Sequence, residues 1–592
     1  MKTYTIKYLL IIITFVLFGC KGYLDTQPLT LPGDKSYYST PDEIQAAVLS
    51  LYNRLSLSTV TANDQPFHLG VDHVSDDMEG GGYFGTIAGG TIQNDDASAL
   101  SLWTAYFAGI AQCNLLLDGM IKAKEVTTPQ LYSQIESEAR VMRAKIYLDL
   151  ATHFGGVPIL TKILTQIEYR SIDKSDRNTV FDFVIKELSE SANNLPLTYA
   201  GDDYGRFTRG AALGLAARAS LYAAFFKNST TPDPDLLNKV IAFTDTIINR
   251  KVYTLYPDYQ KLFMYAGEHS TETVISECYN TVALKTHKVP YNFLPLAIGG
   301  IVKFRPLENL IDAYECIDGL PIDKSSLYDP KNPFKNRDPR LAKSIVLPRV
   351  SSSFDSTTIY PGTTLWNGRE YKTTLLSTLD KSYLEAGVNV ANPDVTSGSR
   401  SPSGYAIQKY CDPLDLTVLQ ASQIDVMIMR YAEILLMNAE ARIERNTGDD
   451  LAKAADYLNL IKARAYGLSP VAFASHAARV LPSLTQKEMR KRLRMERRME
   501  LTFEGLRYND LRRWGIAVEV LNTDRYGRPT NFWDMTDLIP TIDDNGIPKY
   551  SAAIIAKIGR TGIRTYTTKF LLLPIPLDEY LLNNKLGQNP EY

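Results

Sequence analysis

The chain has 592 residues, 45% hydrophobic and 22% charged. That is an ordinary globular composition, long enough for about three to four domains of typical size or two large ones. Its 64 basic and 66 acidic residues leave a formal charge of -2, so no global field argues for nucleic acid or an anionic membrane. Five cysteines in so long a chain exclude a disulfide scaffold. Tyrosine is abundant, at 36 residues against 4 tryptophans. Rings with polar tips suit surfaces that meet sugars or proteins, and ordinary amphipathic packing as well.

Lys2 and Lys7 precede an apolar run from Leu9 to Phe18, broken only by Thr14. The run is too short to span a bilayer and matches a signal-peptide core. Leu17-Phe18-Gly19-Cys20 has the form of a bacterial lipobox, in which the cysteine is acylated and becomes the mature N-terminus. Multiple acyl chains anchor stably, at ~0.8 kcal/mol per buried methylene. A soluble secreted protein with an incidental Cys20 is the plainer alternative. Residues 1–19 are thus read as signal and 20–35 as a lipidated tether. No second long apolar run is expected after Cys20. Cys113, Cys278, Cys316 and Cys411 share no C-x-x-C spacing and read as small buried residues.

Helical signals begin at Thr40-Pro41-Asp42-Glu43, a capping box with proline at the first position. Residues 63–100 read as a long, mobile, acidic and aromatic loop holding Asp72, Asp76, Asp77, Glu79, Tyr83 and Phe84. Helices follow at Ser137–His153, Thr179–Leu195, Arg209–Phe226 (capped by Thr208) and Leu236–Arg250, with Met429–Arg445 and Leu451–Tyr466 later. The alanines of Arg209–Phe226 permit close helix approach. Residues 286–425 are proline-broken and loop-rich. A last helix is expected from Gln486 through Phe503, then a turn at Asp543–Gly546 and an extended run from Phe570 to Pro576. The whole reads as mainly α: tetratricopeptide-like helix pairs carrying long, loop-rich ligand-binding insertions.

Several blocks, in order, resemble the SusD/RagB family of Bacteroidota outer-membrane lipoproteins. They are Glu138–Ala144 through Phe154-Gly155-Gly156-Val157-Pro158; Arg209–Ala212 through Tyr222; Asp312–Glu315 with Asn336–Leu341; Arg430–Leu436; Glu496–Leu501 through Phe503–Gly515, the most specific; and Pro574-Ile575-Pro576 with Gln588–Tyr592. The resemblance implies a helical scaffold at 36–285 and a loop-rich ligand face within 286–592. It implies a protein on the outer membrane facing the cell exterior, a SusC-like TonB-dependent transporter as partner, and glycan capture without catalysis. One departure is that Lys21–Asp25 carries a single acid, where surface export in that phylum is often marked by several.

Sugar binding needs flat apolar faces for pyranose C–H groups and polar side chains for hydroxyls. Three segments offer both: Asp72–Phe84, with Asp76, Tyr83 and Phe84; Tyr291–Arg305, with Phe293; and Tyr360–Tyr371, with Trp366, the strongest single candidate. The alternative for each ring is loop packing. Trp103 and Trp514 sit in helical patterns and read as core. Lys487–Arg498 holds seven basic residues interleaved with Glu488 and Glu496, an ion-paired helix face rather than a phosphate-binding one. Arg340 and Arg512-Arg513 likewise read as partners of carboxylates. No metal, cofactor or nucleotide motif occurs, and calcium near Asp72, Asp76 and Asp77 is a minor alternative. The competing functions are a surface glycoside hydrolase, a ligand-free scaffold subunit, and a peptide-binding subunit of the same kind of transporter.

Overall fold

The computed structural model describes residues 38, 40–55, 66–81, 85–282, 285–347, 382–385, 388–391, 403–529, 535 and 537–592. The lipobox, Cys20 and the tether to residue 35 lie outside them, as do Tyr83, Phe84, Trp366 and Tyr371.

Ten helices carry the scaffold: α1 Pro41–Leu51, α2 Ala97–Ala123, α3 Pro129–His153, α4 Arg177–Ser191, α5 Arg209–Lys227, α6 Pro234–Arg250, α7 Tyr431–Arg445, α8 Asp450–Ala465, α9 Gln486–Glu500 and α10 Arg507–Arg513. Their starts follow local chemistry. Thr40 closes the expected capping box with Glu43, Thr208 caps α5 through the Ala211 amide, and Thr485 makes a second box with Glu488, each satisfying otherwise orphaned amides. From α2 to α8 every helix packs on the next, and α9 closes against α7 and α8. This is the expected array of helix pairs, and it is continuous in space although residues 251–430 intervene between α6 and α7. Gly214 shows why α5 is small-residued: a Cβ there would sit 2.5 Å from Met429 Sδ and 3.1 Å from Ile434 Cδ1.

Several expectations need correction. α9 ends at Glu500 rather than at Phe503, whose backbone is left-handed with φ +60°. α2 is a second long apolar run, with a mean hydropathy of 1.3 over 18 residues, but it is a core helix whose Leu102, Trp103, Tyr106, Ile110 and Met120 are buried. Met429 and Arg430 belong to a strand, and α7 starts only at Tyr431. The described part of 63–100 is not a mobile acidic loop. It folds as the short helices Phe67–Val71 and Gly85–Gly89 and a strand, and Asp72, Asp76, Asp77 and Glu79 are all at most 3% exposed. Their countercharges come from far along the chain. Arg498 reaches Asp77 at 2.7 Å and Asp76 at 2.9 Å, and Arg507 reaches Asp76 at 2.9 Å. Although burial alone would raise it, these guanidiniums hold the Asp76 carboxyl well below the usual range.

Short antiparallel strands tie the insertion to the scaffold: β1 Met78–Gly80, β2 Thr273–Glu277, β3 Phe304–Pro306, β4 Ile345–Val346, β5 Ala406–Ile407 and β6 Val426–Arg430. The pairs are β1–β3, β2–β6 and β4–β5. β2–β6 lies where the insertion leaves α6 and returns to α7. Behind it lies a dry ion network. Arg430 bonds Glu272 at 2.8 Å, Glu500 at 2.6 Å and Glu504 at 2.7 Å. Arg340 bonds Asp338 at 2.8 Å, Glu496 at 2.6 Å and Glu500 at 2.8 Å. Arg464 reaches Glu272 at 2.9 Å and also pairs with Glu500. Lys409 holds Glu504 at 2.6 Å, and Lys462 holds Glu315 at 2.8 Å. Arg513 and Trp514 Nε1 both donate to Glu440, at 2.7 Å, so these segments pair with carboxylates as expected, but in the interior.

Removing one member of a buried pair strands its partner, at a cost of about 3–5 kcal/mol. Arg430→Met is therefore expected to lower the denaturation midpoint sharply, whereas Lys487→Ala, at an exposed pair with Asp544, should leave it nearly unchanged; urea melts of the two variants check this.

The edge of β2–β6 also sets a pH dependence. Glu268 is pushed up to about 7 by burial and by Asp425, and Asp425 itself to about 6 by burial. Asp72 is pushed up to about 8 by burial and Asp77. Such groups bind protons more tightly when folded, so stability falls as pH rises through the folded values. Below about pH 6.5 the half-buried His68 and the buried His153 and His287, lowered by desolvation to about 3, 4 and 4, oppose this. Between pH 6.5 and 8 the melting temperature is expected to fall with pH, and Glu268→Gln, which can still accept the Asp425 amide bonded at 2.9 Å, should flatten that slope in a calorimetric pH series.

Candidate ligand face

Two of the three segments singled out from the sequence meet at β1–β3, where Glu79 stands opposite Arg305 and Gly80 opposite Phe304. Arg305 Nε donates to Glu79 Oε1 at 3.2 Å, and the Thr561 hydroxyl donates to Glu79 Oε2 at 2.7 Å. Gly80 is required by the fit, since a Cβ would lie 2.4 Å from the Phe304 ring. The chain then runs from Gly81 into the segment carrying Tyr83 and Phe84.

The second segment is a compact double turn. Amides of Ile301, Val302 and Lys303 donate to the carbonyls of Tyr291, Leu294 and Asn292 at 2.8, 3.2 and 2.7 Å. Val302 has φ +46°, a conformation that costs a β-branched residue energy and persists only where its surroundings enforce it. Those surroundings are apolar: Val302, Val346 and Ala406 form one buried cluster with Ile298 against it. Val346 and Ala406 are paired residues of β4 and β5, the strands from which residues 348–402 depart and to which they return. The described ends of that excursion are therefore rooted on Val302, and the third segment, with Trp366 and Tyr371, lies outside the described residues. On the return side, Ser403 accepts the Arg528 amide at 2.9 Å, and Gly404, at φ +78°, lies against the Arg528 side chain.

The individual residues fall into three groups. Tyr291 and Arg305 are half-buried at the junction. Phe293 is fully buried, edge-on to Phe304 with ring centroids 6.0 Å apart, and Asp76 is 3% exposed with both oxygens on guanidiniums. Neither presents a surface to a ligand in this conformation. Tyr83, Phe84, Trp366 and Tyr371 lie outside the described residues. Sequence reasoning missed Thr561 and Val302, and it read Glu79 only as part of a mobile acidic loop; its pairing with Arg305 needs the strand register to be seen.

Beneath the junction two carboxyls share one short helix, Glu308–Ala313. Glu308 accepts from Tyr405 at 2.7 Å and Asp312 from Tyr550 at 3.0 Å. Burial and the neighbouring Asp312 push Glu308 well above the carboxylate range, and burial raises Asp312 to about 6 despite Arg337. Both are at most 6% exposed and engaged by tyrosine hydroxyls. Among the described residues no group of three or more His, Cys, Asp or Glu side chains is placed to hold a metal.

A family model described as the SusD family matches residues 267–592, and another, described as starch-binding and associating with the outer membrane, matches residues 42–221. The chain belongs to the SusD family. It is 22% identical over 594 residues to SusD-like protein P25 of Formosa agariphila, covering 97% of this chain and 96% of that one. Its fold is similar to that of a SusD-like carbohydrate binding protein of Bacteroides fragilis, with a TM-score of 0.73 at 23% identity, covering 93% and 99% of the two chains. Surface glycan-binding protein A of Bacteroides fluxus is similar at a TM-score of 0.62 and 21% identity, covering 93% and 100%. In this chain the helical array supports the insertion of residues 251–430, two of whose strands, β3 and β5, pack together beside the β1–β3 junction.

Arg305 can serve this face as a brace or as a contact. Glu79→Gln removes the ion pair and leaves Arg305 in place; Arg305→Ala removes both. Equal loss of glycan affinity in the two variants is expected of a brace, with about 1–3 kcal/mol lost in stability; loss in Arg305→Ala alone marks a contact. Calorimetric titration beside thermal melts separates the two.

Proposed function

We propose that this protein is a cell-surface glycan-binding lipoprotein. Acylated at Cys20 and held to the outer membrane through residues 20–35, it faces the cell exterior. It captures an oligosaccharide or polysaccharide on a face built at the β1–β3 junction, to which we assign the third loop segment as well. A SusC-like TonB-dependent transporter receives the cargo, and this chain performs no catalysis. Residues 36–285 serve as scaffold and 286–592 contribute most of the ligand face.

The observation that carries this reading is family membership in order along the chain, including the match described as starch-binding and associating with the outer membrane. The printed description of the B. fragilis relative as carbohydrate binding and of the B. fluxus relative as surface glycan-binding points the same way. The chemistry agrees. The described junction places the half-buried Tyr291 and Arg305 together, a ring and a polar group of the kinds that a pyranose with its hydroxyls requires. Tyr83, Phe84, Trp366 and Tyr371 supply the rings, with Tyr291 and Arg305 at the edge. Asp76 and Phe293 act by holding those loops in place.

The full chain in detergent, titrated against plant, host and microbial polysaccharides with product chromatography alongside, is expected to bind reversibly and release no product. Product formation would move the reading to a hydrolase, and silence across the panel with binding of peptides would move it to peptide cargo. Trp366→Ala should weaken affinity at least a few fold with an unchanged far-ultraviolet spectrum. Cys20→Ala should shift the protein from the membrane to the soluble fraction, because the acyl chains supply the anchoring energy.

A further inference from the structure

The basic run of α9 has one face that the interior ion pairs do not use. Between the end of α5, α9 and the turn at Asp543–Gly546 lies an open pocket of about 270 Å³. Four cations line it: Lys487, Arg490, Lys491 and Arg494. Two carboxylates face them. Glu444 is taken by Arg490 through two bonds of 2.7 Å, and Asp544 is shared by Lys487 at 2.6 Å and Lys491 at 3.9 Å. The nearby Glu440 is consumed by Arg513 and the Trp514 N–H. The lining therefore carries two more positive than negative charges.

Arg494 is the decisive group. It is 9% exposed, stacked over the Trp514 ring at 4.7 Å, and bonded through Nη1 to the neutral side-chain oxygen of Asn545. Its Nε is buried without a hydrogen-bond acceptor, and among the described residues it makes no ion pair with a carboxylate. A desolvated guanidinium on the wall of a pocket whose two carboxylates are engaged by other cations is costly to leave unpaired. Its planar fork matches the geometry of carboxylate, phosphate and sulfate oxygens. The Ser229 and Thr230 residues on the opposite wall bring hydroxyls to the same space.

We propose that this pocket is an oxyanion-binding site, taking a sulfate, phosphate or carboxylate group either as a free ion or as the acidic substituent of a saccharide. Arg494 anchors the anion, and Lys487 and Lys491 cover it from solvent. None of the lining residues belongs to the three candidate loop segments, so the site does not depend on the glycan-binding reading.

The test titrates the full chain in detergent with sodium sulfate, sodium phosphate and a galacturonic acid trimer, at constant ionic strength set with sodium chloride. One saturable site per chain is expected for at least one of the three. Its affinity should weaken about tenfold or more, a loss of ~1.4 kcal/mol or more, in Arg494→Gln and in the double variant Lys487→Ala/Lys491→Ala. The double variant changes only side chains on the open side of the pocket, so its thermal melt should match the parent and keep the test valid if Arg494→Gln folds poorly. Tighter binding of the trimer than of the free ions assigns the anion to an acidic saccharide, and the reverse order assigns it to a free ion. Absence of saturable binding for all three probes, or binding that survives in the double variant, overturns the proposal. Binding of a neutral glycan should be the same in the double variant and the parent, so failure here is distinguishable from failure of the ligand face.

Discussion

Everything in this molecule hangs on guanidinium and ammonium groups buried against carboxylates. Arg340, Lys409, Arg430, Lys462 and Arg464 are all at most 6% exposed, and they face Glu272, Glu315, Asp338, Glu496, Glu500 and Glu504, all at most 7% exposed. Arg492, bonded to Glu315 at 3.2 Å on the rim, brings the charges into balance. Taking so many ions out of water is expensive, and the mutual attraction offsets that cost only when geometry is good and every charge has partners. The guanidiniums of Arg464, Arg430 and Arg340 keep Glu500 ionised although burial alone would raise its carboxyl. The network has few alternative arrangements, because any shift leaves a bare charge in a dry interior.

The placement of these groups explains the architecture. Glu272 precedes β2, Arg430 ends β6, and Asp338, Arg340 and Lys409 lie inside the insertion. Lys462 and Arg464 are on α8, and Glu496, Glu500 and Glu504 lie on α9 and just past it. One knot of charge therefore fastens an excursion from residue 251 to residue 430 onto a helix array that continues in space from α6 to α7. The second knot, Arg498 and Arg507 on Asp76 and Asp77, pins the start of β1. With β1 pinned, β1–β3 and β4–β5 share a base at Val302, whose left-handed backbone is tolerated because apolar neighbours enclose it. Rigid roots beneath variable loops are what a binding face needs if its rings are to be held apart at fixed spacing without losing much entropy on binding.

Much of the scaffold is legible locally. The Thr40 capping box, the Thr208 cap and the small-residue character of α5 each depend on contacts a few residues apart or on the size of a side chain, so pattern reading reaches them. The buried state of Trp103 and Trp514 follows from helical spacing in the same way. The acidic stretch from Asp72 to Glu79 shows where such reading fails. Four acids beside glycines have the composition of a solvated loop, and nothing within tens of residues cancels their charge. The groups that answer them, Arg498 and Arg507 for Asp76 and Asp77, Arg305 for Glu79, and the Gly505 and Arg507 amides for Asp72, are more than two hundred residues away in sequence. The same distance effect hides the start of α7: Met429 and Arg430 fit a helical pattern, but pairing with β2 and the carboxylates of Glu272, Glu500 and Glu504 hold them extended.

By itself the sequence determined the helices, their caps, the apolar stripes that pack them and the ordered blocks that mark the family, because these rest on local propensity and on periodicity. Only the tertiary structure decided which charges are buried, which loop roots share a base, and which cation lines a pocket without a carboxylate partner. The physical reason is that ion pairing in a low-dielectric interior is a property of positions in space, and a chain of this length can bring together charges whose separation along it carries no signal.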